Sequence, residues 1–171
     1  MTAQERRKEI EKLLKKSTES ISATTLAKKF SVSRQIIVGD IALLRAAGLK
    51  ISATPRGYIM NSTIENTDLI FTIACNHSKE DTAKELYTIV DNGGTILDVT
   101  VEHPIYGEII GELRISSRYD VDLFLKKTDN YKAQPLNKLT GGIHLHRIKC
   151  NNKEVMERIV HELKKEKILL N

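Results

Sequence analysis

Histidine is missing from the first 60 residues, and acidic residues are scarce there, with 12 Lys/Arg against 5 Asp/Glu. Cysteine is nearly absent from the whole chain. Cys75 and Cys150 are too few for a disulfide framework, so neither requires an oxidising compartment, and both are expected to be small buried hydrophobes. No apolar run approaches the ~18 residues that span a bilayer, and the N-terminus is a mixed, charged stretch without the apolar segment of a signal peptide. A soluble, cytoplasmic protein with no membrane partner is the expectation. Low-complexity tracts and internal repeats are also missing.

What is present is divided in two. Of the net charge of +5, residues 1–60 contribute +7 and residues 61–171 contribute −2 (15 basic, 17 acidic). A uniformly basic protein would not split this way, and 171 residues accommodate two small domains. The polar, aperiodic stretch 61–67 is the expected linker, between a first domain over residues 1–60 and a second over 68–171.

In the first domain, Ile10, Leu13 and Leu14 share one helical face among six basic side chains. Ser22 precedes a short apolar pattern of Leu26, Ala27 and Phe30, and Ser33 precedes a longer one of Ile37, Ile41 and Leu44; each serine suits an N-cap. Short helix, tight turn, longer helix is the helix-turn-helix spacing. The second helix of such a motif presents its first turn to base edges, where Ser33, Arg34 and Gln35 stand. Beyond Gly48, Leu49–Ser52 and Tyr58–Met60 flank Pro55-Arg56-Gly57, a β-hairpin wing with Arg56 at its tip, suited to phosphates or the minor groove. The competing reading is a helical dimerisation or protein-binding module with a solvated positive face. Helix spacing, caps, first-turn side chains and charge agree instead on double-stranded DNA.

The second domain reads as a strand over Leu69–Cys75, a helix from Ser78 to Val90 with Asp81 as capping-box partner, and strands over Ile96–His103 and Gly107–Ile115. A helix over Ser117–Lys127 turns Val121, Phe124 and Leu125 inward. Strands near Leu136–Leu139 and Ile143–Lys149 follow, then an amphipathic helix with Val155, Ile159 and Leu163. This order gives an α+β fold: a winged helix-turn-helix followed by an α/β sandwich, its mostly antiparallel sheet covered on one face by helices.

Gly141-Gly-Ile-His-Leu-His146 is the sharpest motif of this half. Residues i and i+2 of a strand share a face, near enough for His144 and His146 to bind one metal ion, though two partly exposed sheet histidines are the commoner outcome. His77 ends the first strand, and Glu85 lies two helical turns further on. Three imidazoles and one carboxylate make a site suited to Ni, Zn, Co, Fe or Mn. Cys75 shares a strand face with His77 and stays open as a ligand, His103 sits at another strand end, and His161 reads as structural or solvated.

Four segments, Asn76-His-Ser78, Asp98–Gly107, Ser117–Val121 and Leu139–His146, together with the Ser31–Gly48 and Arg56–Tyr58 stretches, resemble the niacin-responsive repressors of bacterial NAD biosynthesis. Those proteins join a winged helix-turn-helix to a domain named for three histidines. The resemblance covers nearly the whole chain. Two departures lie in the DNA-reading helix, where Ile36 replaces a threonine and Gly39 stands where a longer polar side chain is usual. The resemblance implies a metal-binding repressor of NAD biosynthesis or niacin uptake genes, with nicotinic acid as corepressor and His77, Glu85, His144 and His146 holding one divalent metal, nickel or zinc foremost. Chemistry and spacing then suggest a pyridine nitrogen at an open coordination position, a carboxylate against Arg118 at a helix start, and a hydrogen bond from His103. A homodimer matching successive major grooves is expected. The alternative is a metal-responsive regulator whose effector is the ion itself. An enzyme is not expected, because no His-Glu-x-x-His or similar general-base motif accompanies the histidines.

Overall fold

Side-chain caps start the N-terminal helices where the sequence puts them. Thr2 and Glu5 close a capping box at the head of α1 (Ala3–Lys16), and Ser22 Oγ accepts from Thr25 N at 3.0 Å to open α2 (Ala23–Phe30). Ser33 Oγ accepts from Ile36 N at 3.2 Å to open α3 (Arg34–Ala46). The wing follows as β1 (Ile51–Thr54) and β2 (Gly57–Met60), antiparallel, with Arg56 exposed at the turn. Ile10, Leu14, Leu26, Ile37, Ile41 and Tyr58 form the core of this domain. Burying each is worth ~1.5–3 kcal/mol by area. Asp40, buried on α3, takes Arg6 Nε at 2.5 Å and ties α1 to that helix.

The computed structural model describes residues 1–60 and 69–171, so the expected linker lies outside the described residues. The second domain runs β3 (Ile70–Asn76), α4 (Thr82–Asp91), β4 (Thr95–His103), β5 (Gly107–Ile115), α5 (Arg118–Asn130), β6 (Ile143–Lys149) and α6 (Lys153–Lys165). Its four strands form one antiparallel sheet in the order β3-β6-β4-β5. Cys75, Leu86, Ile89, Ile96, Ile148 and Ile159 are among the residues of the core between this sheet and helices α4, α5 and α6. Both cysteines are free and buried.

Three expectations need correction. Ser78 caps no α-helix: it precedes a short 3₁₀ turn, Lys79–Asp81, makes no side-chain cap bond, and α4 starts only at Thr82. The stretch Leu136–Leu139 is not a strand but part of a 3₁₀ segment, Leu136–Thr140. Its polar groups are satisfied locally, since the Asn137 carbonyl accepts from Thr140 Oγ1 at 3.1 Å and from Gly142 N at 2.8 Å, leaving no ladder to extend. The third concerns the sheet, which has helices on both faces. Val38 and Ala42 of α3 are buried against Ala74, Ile143 and Leu145 on the face away from α4–α6. Polar contacts ring that patch: Arg34 to Glu102 at 3.3 Å, Arg45 to Glu108 at 3.0 Å, Gln35 Nε2 to the Thr140 carbonyl at 2.6 Å, and the Tyr58 hydroxyl to Glu102.

Candidate metal centre and DNA-reading surface

Strand alternation sends His144 and His146 of β6 to the helix-covered face, while Ile143 and Leu145 point to α3. His77 follows β3, which pairs with β6 through Cys75 opposite His144, and α4 brings Glu85 over the same spot. Gly142, at φ +105°, permits the approach, because a Cβ there would stand 2.6 Å from Asn76 Oδ1 and 2.8 Å from the His77 carbonyl.

All four side chains are buried; His144 and His146 are only 3% exposed, so the partly exposed alternative does not hold. Glu85 Oε2 lies 2.7 Å from His77 Nε2, and Oε1 lies 3.1 Å from His144 Nε2 and 3.5 Å from His146 Nε2. The rings of His77 and His146 both meet His144 edge to face, with centroids 4.8 and 4.9 Å away.

The opposite nitrogens determine what this cluster can do. Each Nδ1 donates to a backbone carbonyl: His77 to Ser78 and His144 to Gly142 at 2.8 Å, His146 to Asp98 at 2.6 Å. A carbonyl only accepts, so every Nδ1 carries its proton and each neutral ring aims an Nε2 lone pair at an ionised carboxylate. Such a centre needs a positive charge between the groups, supplied by protons or by a metal ion. Burial works against charge on His77 and His146, but attraction to Glu85 overcomes it and raises both pKa values. Burial likewise opposes ionised Glu85, yet His144 and His146 hold it well below the ordinary carboxylate range.

The donor set fits a metal. Neighbouring donors around an ion bound at ~2.1 Å stand about 3.0–3.4 Å apart, close to the distances from the Glu85 oxygens to the three Nε2 atoms. Carbonyls that fix the outer nitrogens are the usual support of histidine ligands. Cys75 Sγ is also near, lying with Glu85 and His144 ligand atoms within 4.8 Å of one another. Burial pushes its thiol well up and Glu85 adds to the shift, so Cys75 is a neutral thiol that donates to Glu85.

Glu85, His144 and His146 form one wall of a cavity of about 310 Å³ whose other walls include Val99, Leu113 and Phe124. Lys79, Thr82 and Asn137 supply polar groups, and Thr82 Oγ1 is buried with no hydrogen-bond partner among the described residues. None of the three was picked out by sequence reasoning, and only Lys79, beside the histidine strand end, carried a charge that could have flagged it. Two residues expected to meet an effector do not line this cavity. Arg118 is exposed, donates to Asp91 at 2.6 Å and lies over the Tyr87 ring. His103 Nδ1 accepts from Ile105 N at 3.2 Å, within the β4–β5 turn.

On the first domain, Ser33 caps α3, Arg56 is free at the wing tip in solvent, and Arg34 and Gln35 lie in the first turn of α3 as expected. A helix-turn-helix domain model matches residues 6–59, and a 3H domain model matches residues 70–171. The chain belongs to the 3H-domain repressor family. It is 46% identical over 167 residues to a probable transcription repressor NiaR of Thermotoga maritima, covering 98% of this chain and 94% of that one. It is 37% identical over 159 residues to the transcription repressor NadR of Bacillus subtilis, covering 92% and 88%. This 3H-domain repressor is therefore a DNA-binding regulator and not an enzyme. No helix among its described residues is long and apolar enough to cross a membrane.

Proposed function

We propose that this repressor controls NAD biosynthesis or niacin uptake genes in response to nicotinic acid, acting as a cytoplasmic homodimer on operator DNA. One divalent metal per chain, nickel or zinc, is held by His77, Glu85, His144 and His146. The observation that carries this reading is the convergence of three Nε2 atoms on one carboxylate, with Glu85, His144 and His146 also lining a largely apolar cavity. When bound, the ion supplies an electrophilic position for a pyridine nitrogen. The chain's own part is to hold the imidazoles by their Nδ1 protons, to stack the apolar walls on a flat ring, and to meet the carboxylate with Lys79 and the unpartnered Thr82 hydroxyl. Arg118 and His103 are replaced in that role, since neither lines the cavity. The names NiaR and NadR borne by the two relatives support the same reading.

A metal-only sensor explains the four ligands but leaves the adjoining cavity without an occupant. Calorimetric titration of nicotinate into the metal-loaded and the chelated chain separates the two. Binding that requires the ion supports the proposal, and no nicotinate heat in either form would falsify it.

A further inference from the structure

We propose that the outer face of the β3-β6-β4-β5 sheet competes with DNA for helix α3, so that the docked arrangement is the non-binding form of the repressor. The inference does not depend on nicotinate being the effector.

Helix α3 has two buried sides. Ile37, Ile41 and Leu44 face the core of the first domain, while Arg34, Gln35, Val38, Gly39, Ala42 and Ala46 lie on the side turned toward the sheet. A recognition helix offers the side away from its own domain core to the major groove, a channel about 12 Å wide that admits a helix only when that side is free. Here the second domain occupies the middle of it, burying Val38 and Ala42, while Gln35 stays exposed at the edge. The contacts substitute for those of DNA in kind: Glu102 gives Arg34 an anion, Glu108 does so for Arg45, and the Thr140 carbonyl takes the Gln35 amide. Glu108 Oε1 also accepts from Ala53 N of the wing at 2.9 Å.

The residues of α3 suit this surface. Val38, Gly39, Ala42 and Ala46 are small, and a Cβ on Gly39 would stand 3.7 Å from Ile143 and 3.8 Å from Leu170. A longer polar side chain there would have to displace the sheet. The interface is nevertheless incomplete. An open cleft of about 820 Å³ runs between the end of α3 and the start of β1 on one side and Phe71, Ile110 and Arg147 on the other, so the two surfaces do not close into one continuous core. Surfaces joined this way part more readily than a fused core. The 3₁₀ segment Leu136–Thr140 touches both centres: Asn137 lines the histidine cavity and donates to the His77 carbonyl at 3.2 Å, and Thr140 holds Gln35. Filling that cavity therefore acts on the residues that hold α3.

The test uses the full chain without effector and a labelled duplex enriched from a random-sequence pool by the wild-type protein. Glu102→Gln/Glu108→Gln removes the charges that pair with Arg34 and Arg45 of α3 while keeping side-chain shape; Glu112→Gln/Glu154→Gln removes the same charge from exposed positions on the same domain. The expected result is about tenfold tighter DNA binding for the first variant and less than about twofold for the second. Amide hydrogen exchange over residues 38–46 should rise in the first alone. Equal tightening in the two variants, or unchanged exchange in the first, overturns the proposal.

Discussion

The two faces of the sheet are built to different standards, and strand β6 belongs to both. On the α4–α6 face, Ile148, Ile96, Ile89 and Ile159 are fully buried in a continuous core that also carries the histidine centre. On the α3 face a smaller cluster of Val38, Ala42, Ala74, Ile143 and Leu145 is ringed by ion pairs and borders an open cleft. Large branched side chains locked together make a permanent core. Small residues with charges at the rim make a contact that can be exchanged for another partner. The chain thus puts its histidine centre on the densely packed face and its helix-turn-helix on the more loosely joined one.

Neighbouring truncations on β6 break this comparison most directly. Ile148→Ala should cost about 3–4 kcal/mol in denaturant unfolding, because a fully buried isoleucine leaves a cavity the core cannot fill. Leu145→Ala, three residues away on the other face, should cost only about 2 kcal/mol, since the site adjoins an open cleft and can relax toward it. It should also tighten DNA binding, which Ile148→Ala should not; equal costs and equal DNA affinities would erase the distinction. Within the sensor, Lys79→Ala should weaken nicotinate by about tenfold, as expected for loss of one charge-assisted contact, and Arg118→Ala should leave it unchanged in the same calorimetric titration. His144→Ala should abolish stoichiometric metal, read by elemental analysis of the dialysed protein, while His161→Ala keeps it, because His161 is exposed on α6. The smallest effect belongs to the first domain: Ser33→Ala removes the α3 cap and should lower stability by ~1 kcal/mol, visible as a modest fall in Tm.

Much of the architecture was legible because it is set locally. Caps at Ser22 and Ser33 require only a serine and the next turn of chain, and both bond as their positions imply. His144 and His146 share a face because strand alternation leaves no other arrangement. The 3₁₀ segment was misread because a short apolar run such as Leu136–Leu139 has no period to tell a strand from a turn. Val38, Ala42 and Ala46 passed unnoticed because small apolar residues on a helix carry no mark of a second partner. The cavity residues Lys79 and Thr82 sit in a turn and a first helical position that read as ordinary capping chemistry.

The sequence by itself determined the division of charge, the starts of α2 and α3 and the pairing of His144 with His146 on one strand face, all of which depend on neighbours a few residues apart. Only the tertiary structure decided that Glu85 would meet His144 across 59 residues, that Arg34 would meet Glu102 across 68, and that α3 would lie on the sheet. Long-range partners are selected by which surfaces pack after the chain closes its loops, and that selection depends on shape and burial summed over both domains rather than on any local pattern.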